Sequence, residues 1–148
     1  MKKRSLFAGA LCVLALAAAG CGDDDDNDAL SYEDTGTEIS AICEEINEQA
    51  EGLSGDPEKD VPILEDLVPA FEDAVQEVRD LDVNEELVET RDQFADNGDE
   101  QIVVIKEAQS AAEAGDKKKY ISTLEGTDEL DKESDELASK LGATGCIG

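Results

Sequence analysis

An all-α, up-down-up-down four-helix bundle, with a disulfide joining helix 1 to the C-terminus, is the fold class predicted by three features of this 148-residue chain. Apolar residues recur at spacings of three and four from Asp34 onward, the period of a helix. No stretch alternates with period two. Glycine, Asp-Pro and Asn punctuation divides the pattern into four stripes with short connections, which favours antiparallel neighbours.

The first stripe, Ile39, Ile42, Cys43, Ile46, Ala50 and Leu53, is one face of a helix that ends in the region of Gly52 to Gly55. Asp56-Pro57 then supplies a cap and a first-turn proline. The second stripe is Leu64, Leu67, Val68, Phe71, Ala74, Val75, Val78 and Leu81. Pro62 fits an early turn, whereas Pro69 lies inside the stripe and is expected to bend the helix, since proline has no backbone donor. Asn84 caps a third helix carrying Leu87, Phe94, Ile102, Ile105, Ala108 and Ala112, and Gly115 ends it. Asp116 caps a fourth with Tyr120, Leu124, Leu130, Leu137, Ala138 and Leu141, stopped by Gly142. The core faces of the first two helices are read as free of Asp and Glu, so the carboxylates are expected to point to water.

Ahead of the bundle stands an export signal. Met1 to Arg4 carry three positive charges, and the uncharged, mostly apolar run Ser5 to Gly20 is shorter than the ~20 residues that span a bilayer as a helix. Residues 1–20 are therefore read as a signal peptide. The segment Leu16-Ala17-Ala18-Ala19-Gly20-Cys21 resembles the bacterial lipobox, which implies that Cys21 takes a diacylglycerol on its thiol and becomes the new N-terminus. Ordinary cleavage after Ala17-Ala18-Ala19 is the alternative and would release a soluble protein. Residues 21–34 read as a lipidated, disordered acidic tether, because the run Asp23-Asp24-Asp25-Asp26-Asn27-Asp28 repels itself. Asp23, Asp25, Asn27 and Asp34 imitate part of a calcium loop, but Asp28 stands where such a loop needs Gly, and no helix precedes it. Residues 35–148 form the bundle domain.

The cysteines sort by compartment. Cys12 leaves with the signal peptide and Cys21 takes the lipid, so Cys43 and Cys146 remain as an even pair in an exported, oxidising setting, where a disulfide is expected. A redox role lacks the Cys-x-x-Cys spacing and an adjacent cation.

Charge and composition exclude whole classes of function. The 39 acidic residues face 12 basic ones, and removal of Lys2, Lys3 and Arg4 leaves nine, a formal charge of −30 on the mature chain. Such a chain repels nucleic-acid phosphates. The absence of histidine rules out a Ser-His-Asp triad, histidine-ligated zinc and a Glu-x-x-His di-iron site. Three Phe, two Tyr and no Trp leave few platforms for a sugar or a flavin. The acidity itself fits either a solvated surface, suited to high salt or to standing off a membrane, or a cation-binding surface.

The chain also resembles small acidic, uncharacterised helical lipoproteins of high-GC Gram-positive bacteria. The likeness is carried by Cys43 in an early helix, by Ala114-Gly115-Asp116 before the last helix, and by Leu141-Gly142-Ala143-Thr144-Gly145-Cys146 at the end. It differs in having no proline in the Asp82-Val83-Asn84 connection. The resemblance implies a helical bundle and brings no known activity.

Polar residues interrupt two of the stripes. Asn97, Gly98 and Gln101 break the third, while Thr127, Asp131 and Ser134 break the fourth, and antiparallel helices would place Asn97 level with Ser134 and Gln101 near Asp131. This is a candidate polar ligand layer, with Gly98 admitting a close approach to the backbone. It reads equally as a register-fixing layer or as an Asn97-Gly98 turn that splits the third helix. Arg91 would reach Asp131 only across about two turns. The functional expectation is a non-catalytic binding or interaction module, lipid-anchored on the extracytoplasmic face of the cell membrane. Its expected partners are the membrane and an envelope protein or ligand, with no cofactor, no metal site and no nucleic acid. The alternative is a low-affinity divalent-cation binder or buffer in the cell envelope.

Overall fold

The computed structural model describes residues 29–147. The segments read from sequence as a signal peptide and as a lipobox ending at Cys21, together with the aspartate run, lie outside the described residues. Within them the chain is all-helical, with α1 at Tyr32–Ala50, α2 at Pro57–Asp80, α3 at Glu85–Glu113, α4 at Lys117–Leu124 and α5 at Asp128–Leu141. Two short 3-10 turns, Glu125–Thr127 and Thr144–Cys146, complete it. No strand forms among the described residues; a single isolated bridge pairs Leu30 with Val83.

Side-chain caps open α1 and α4, at Ser31 and Asp116, whereas Asp56 and Asn84, expected as caps, precede α2 and α3 without a side-chain capping bond. Ser31 caps α1 by accepting from the Asp34 amide at 3.2 Å, and Glu33 and Asp34 sit in the first turn, where the helix dipole favours negative charge. Just before that cap, the Leu30 amide donates to the Asp82 carbonyl at 2.7 Å, and the Leu30 carbonyl accepts from the Asn84 amide at 3.3 Å. Leu30 to Asp34, assigned to the tether by sequence, are thus built into the domain. Backbone pairing and capping, neither of which shows in charge density, hold them there.

Pro57 opens α2, which continues through Pro62 and Pro69. Both internal prolines are exposed, so the carbonyls they leave without an intrahelical donor face water. The third helix runs unbroken through Asn97-Gly98, which removes the reading of that dipeptide as a turn. Gly98 is buried, and a Cβ built on it would lie 2.6 Å from Val75 Cγ2. What approaches its backbone is α2 rather than a ligand.

The fourth helix of the sequence reading is two helices, α4 and α5, joined by the turn around Gly126. Glycine lowers helix propensity. Beside it Thr127 Oγ1 donates to the Leu124 carbonyl at 3.0 Å, a local bond that competes with the helical ladder. Left-handed Gly115 (φ 66°) and Gly142 (φ 75°) end α3 and α5 as expected.

Two apolar clusters form the core. One gathers Ile39, Val75, Val78, Ala95, Ile102, Ala138, Leu141 and Ala143, and the other Leu64, Leu67, Ala108, Ala111, Ala112 and Tyr120. Alanine is prominent in both, so α3 approaches its neighbours closely. On the outside of the α2 and α3 pair, Arg79 meets Asp96 and Asp99 at 2.9 and 2.6 Å, and Lys106 meets Glu72.

The C-terminal segment then closes on α1. Gly36 lies against the Gly142 carbonyl, the Gly145 amide donates to Ser40 Oγ at 3.1 Å, and Cys146 is bonded to Cys43 across 103 residues, with Cα atoms 5.1 Å apart. In the chain-entropy view, closing a loop of this length stabilises the fold by about 4.7 kcal/mol.

A Cβ at residue 36 would lie 2.5 Å from the Gly142 oxygen and 2.7 Å from its carbonyl carbon, both backbone atoms with little freedom to yield. Gly36→Ala should therefore cost about 2 kcal/mol through overpacking. Urea denaturation with the disulfide intact reads this directly, and an unchanged midpoint would refute the close approach of α1 and the C-terminal turn.

Candidate functional site

A half-open cavity of about 120 Å³ lies where the first apolar cluster thins out. Ile42 and Ile46 come from α1, Phe71 and Val75 from α2, and Phe94 from α3. The Cys43–Cys146 disulfide forms another part of the wall. Helical spacing explains the convergence, since Ile42 and Ile46 are one turn apart, as are Phe71 and Val75. Phe71 and Phe94 pack against the first apolar cluster, and both remain half-buried. An apolar cavity near 150 Å³ can hold a benzene-sized molecule, so this one suits a single ring or a branched alkyl group.

The residues of the expected polar layer divide between two places. Asn97, Gly98, Gln101 and Ser134 all line the cavity. Asn97 is buried, donating through Nδ2 to the Leu130 carbonyl at 3.2 Å and accepting through Oδ1 from Gln101 Nε2 at 2.8 Å. This bond ties α3 to the first turn of α5, so Asn97 fixes how the two helices sit against each other. Thr127 and Asp131 are elsewhere: Thr127 Oγ1 lies 2.8 Å from Asp131 Oδ2 on the exposed side of α5, where the carboxylate shares the one hydroxyl proton with the Leu124 carbonyl. The 3-10 turn at Gly126 changes the phase of the following helix, which is why extrapolating one continuous helix places them wrongly. Arg91 does not reach Asp131. It donates to the Leu81 carbonyl at 2.6 Å and to the Asp92 carboxylate.

A second depression, of about 190 Å³, adjoins the cavity and shares Ile42, Ile46 and Ala74 with it. Its α1 bank carries Glu45 and its α2 bank Asp73 and Glu77, all three exposed. Lys59, Arg79, Arg91, Lys106 and Lys132 make their ion pairs elsewhere.

The structure corrects one expectation outright. Asp60, on the core face of α2, is fully buried. It occupies the same stripe as Leu64, Leu67 and Phe71, four residues ahead of the first of them. That spacing was visible in the sequence, although a carboxylate at the head of a stripe reads as a first-turn acid.

Asp60 Oδ1 accepts from the Ser54 amide at 2.9 Å and the Ser54 hydroxyl at 2.8 Å, while Oδ2 accepts from the Gly55 amide at 2.8 Å and the buried Tyr120 hydroxyl at 2.8 Å. Burial pushes its pKa up. The four donors outweigh burial, led by the Ser54 amide, so the carboxyl is held below its usual range and stays ionised. Tyr120 is pushed far above the ordinary phenol value, first by its own burial and then by its bond to Asp60, and therefore remains a donor. The group is saturated: every donor aims inward, and no second carboxylate shares the network. It clamps the α1–α2 connection to α4.

Among the described residues, no cluster of three or more His, Cys, Asp or Glu side chains could hold a metal ion. No helix among them is long and apolar enough to cross a membrane. Searches against protein-family models, curated proteins and solved structures found no match to the chain.

The Asp60 network makes a signed prediction. Because the folded pKa is lowered, its contribution is fully present above the unfolded Asp value, ~3.9, and is lost as pH falls through the folded value. Asp60→Asn should cost about 2 kcal/mol at pH 7 by misaligning the buried donors, and Tyr120→Phe about 1 kcal/mol. The gap between the parent and Asp60→Asn should stay constant down to about pH 5 and shrink below about pH 4. Denaturant titrations across that range test it, and a gap that widens with acid would reverse the assignment.

Proposed function

We propose that this chain is an exported lipoprotein, anchored through Cys21 to the extracytoplasmic face of the cell membrane, whose helical domain is a non-catalytic binding module. The observation that carries the reading is the Cys43–Cys146 bond. With those two thiols joined to each other and Cys12 inside the signal peptide, Cys21 is the cysteine left for a lipid. A disulfide also suits an oxidising compartment.

The binding role is supported by the cavity, whose apolar walls and amide groups are suited to holding a ligand. The buried carboxylate of Asp60 is committed to structural donors. Charge explains the anchor: a mature chain with a formal charge of −30 does not adhere to anionic lipid unaided, whereas acyl chains stabilise attachment by ~0.8 kcal/mol per buried CH₂. The reading includes the likeness to acidic lipoproteins of high-GC Gram-positive bacteria. It also includes an up-down-up-down course with α4 and α5 as one bent unit, a course favoured by the pairing of Arg79 with Asp96 and Asp99 and of Lys106 with Glu72.

Intact-mass measurement on protein from the native membrane tests the anchor. The expected product begins at residue 21 with a diacylglycerol and contains one disulfide, and Cys21→Ala should move the protein out of the membrane fraction. An unmodified N-terminus, or cleavage at another residue, would overturn the anchoring.

A further inference from the structure

Two adjoining features point to the charge and size of a ligand. The Phe71 and Phe94 cavity offers about 120 Å³ of mostly apolar space open on one side, too little for the drug-sized ligands that fill ~300–1,000 Å³ but enough for a ring or a branched alkyl group. Across the shared residues Ile42, Ile46 and Ala74 lies the groove of Glu45, Asp73 and Glu77. Among the described residues no basic side chain pairs with any of these three carboxylates, whereas Glu72, next to Asp73 in sequence, is engaged by Lys106. The three like charges flank one short groove, and a cation in the groove offsets part of their negative potential. The surrounding excess of negative charge attracts cations and excludes anions.

We propose that cavity and groove form one binding site for small amphipathic organic cations, with the apolar group between Phe71 and Phe94 and the ammonium group in the groove of Glu45, Asp73 and Glu77. The proposal rests on the binding-module reading and adds the ligand class. The cavity supplies apolar burial. The groove supplies discrimination by charge, because a neutral isostere gains the first without the second and an anion meets repulsion. The ammonium group stays in contact with water at an exposed groove, so its desolvation is partial and the attraction depends on ionic strength.

The sequence supplies a direct probe. Phe7 lies in the signal peptide, so Phe71 and Phe94 are the two phenylalanines of the mature chain. Fluorophenylalanine labelling then gives two ¹⁹F resonances, both reporting on the cavity wall. The mature protein in phosphatidylcholine nanodiscs is titrated with benzylammonium, benzyl alcohol and benzoate, with empty nanodiscs as the reference for partitioning. Benzylammonium should shift both resonances saturably at low salt, with a dissociation constant at least about tenfold below that of benzyl alcohol, and benzoate should bind most weakly. The advantage of the amine should collapse in high salt and in the triple variant Glu45→Gln, Asp73→Asn, Glu77→Gln. It should persist in Glu85→Gln, Glu86→Gln, Glu89→Gln, which removes the same number of charges away from the groove.

Equal affinity for amine and alcohol would overturn the cation assignment while leaving a neutral-ligand cavity. Equal losses in the two triple variants would overturn the groove in favour of general surface attraction. If none of the three probes shifts either resonance, both this proposal and the use of the cavity for binding fail, whereas the lipid anchor is judged separately by mass.

Discussion

Self-repulsion is the constraint under which everything else in this fold operates. A chain with 39 acidic and 12 basic residues gains nothing electrostatically by becoming compact. Its carboxylates must stay in water while the apolar stripes meet behind them. Amphipathic helices achieve this separation, because each can turn one stripe inward and still solvate most of its circumference. The core they enclose is small and rich in alanine, so covalent closure contributes much of the margin. Joining Cys43 to Cys146 keeps the ends of the domain together even where repulsion favours expansion. The close fit of Gly36 on Gly142 and the Ser40 to Gly145 hydrogen bond place the two sulfurs within bonding reach.

Against that background the burial of Asp60 is instructive. An unpaired buried carboxylate is costly, and this chain has many acidic residues it could have left exposed. Here the charge is met by four donors at 2.8 to 2.9 Å from three residues, Ser54, Gly55 and Tyr120. The result is a directional joint between the α1–α2 connection and α4, two regions also drawn together by the attraction of Lys117 for Asp56. The two ends of the molecule are therefore secured by different chemistry: a covalent bond beside the cavity, and a saturated anion at the far cluster around Tyr120. The first of these borders the cavity of Phe71 and Phe94.

Legibility in the sequence followed the kind of interaction involved. The stripes around Ile39, Leu64, Ile102 and Leu137 are visible because burial repeats with the helical period, and the turns at Gly115 and Gly142 because a positive φ selects glycine. The candidate site was half legible. Asn97, Gly98, Gln101 and Ser134 were found as interruptions of otherwise apolar faces, and they do meet. Thr127 and Asp131 were grouped with them only because α4 and α5 were drawn as one straight helix. Glu45, Asp73 and Glu77 could not have been singled out from so many acids, since only the packing of α1 against α2 puts them around one groove.

Composition and pattern alone determined that this chain is helical, strongly acidic, free of histidine chemistry and equipped with Cys43 and Cys146 at opposite ends of its helical region. Those properties are local or additive: period, charge and residue count need no knowledge of neighbours. The tertiary structure decided that Gly98 serves the contact with Val75, that Asp60 is inside, that Leu30 is pinned to the α2–α3 connection, and that Phe71 and Phe94 face a common cavity. Each of these depends on distances between residues far apart in the chain, set by the phase of one helix against another, and a shift of one residue at a turn such as Gly126 rotates every side chain after it by about 100°.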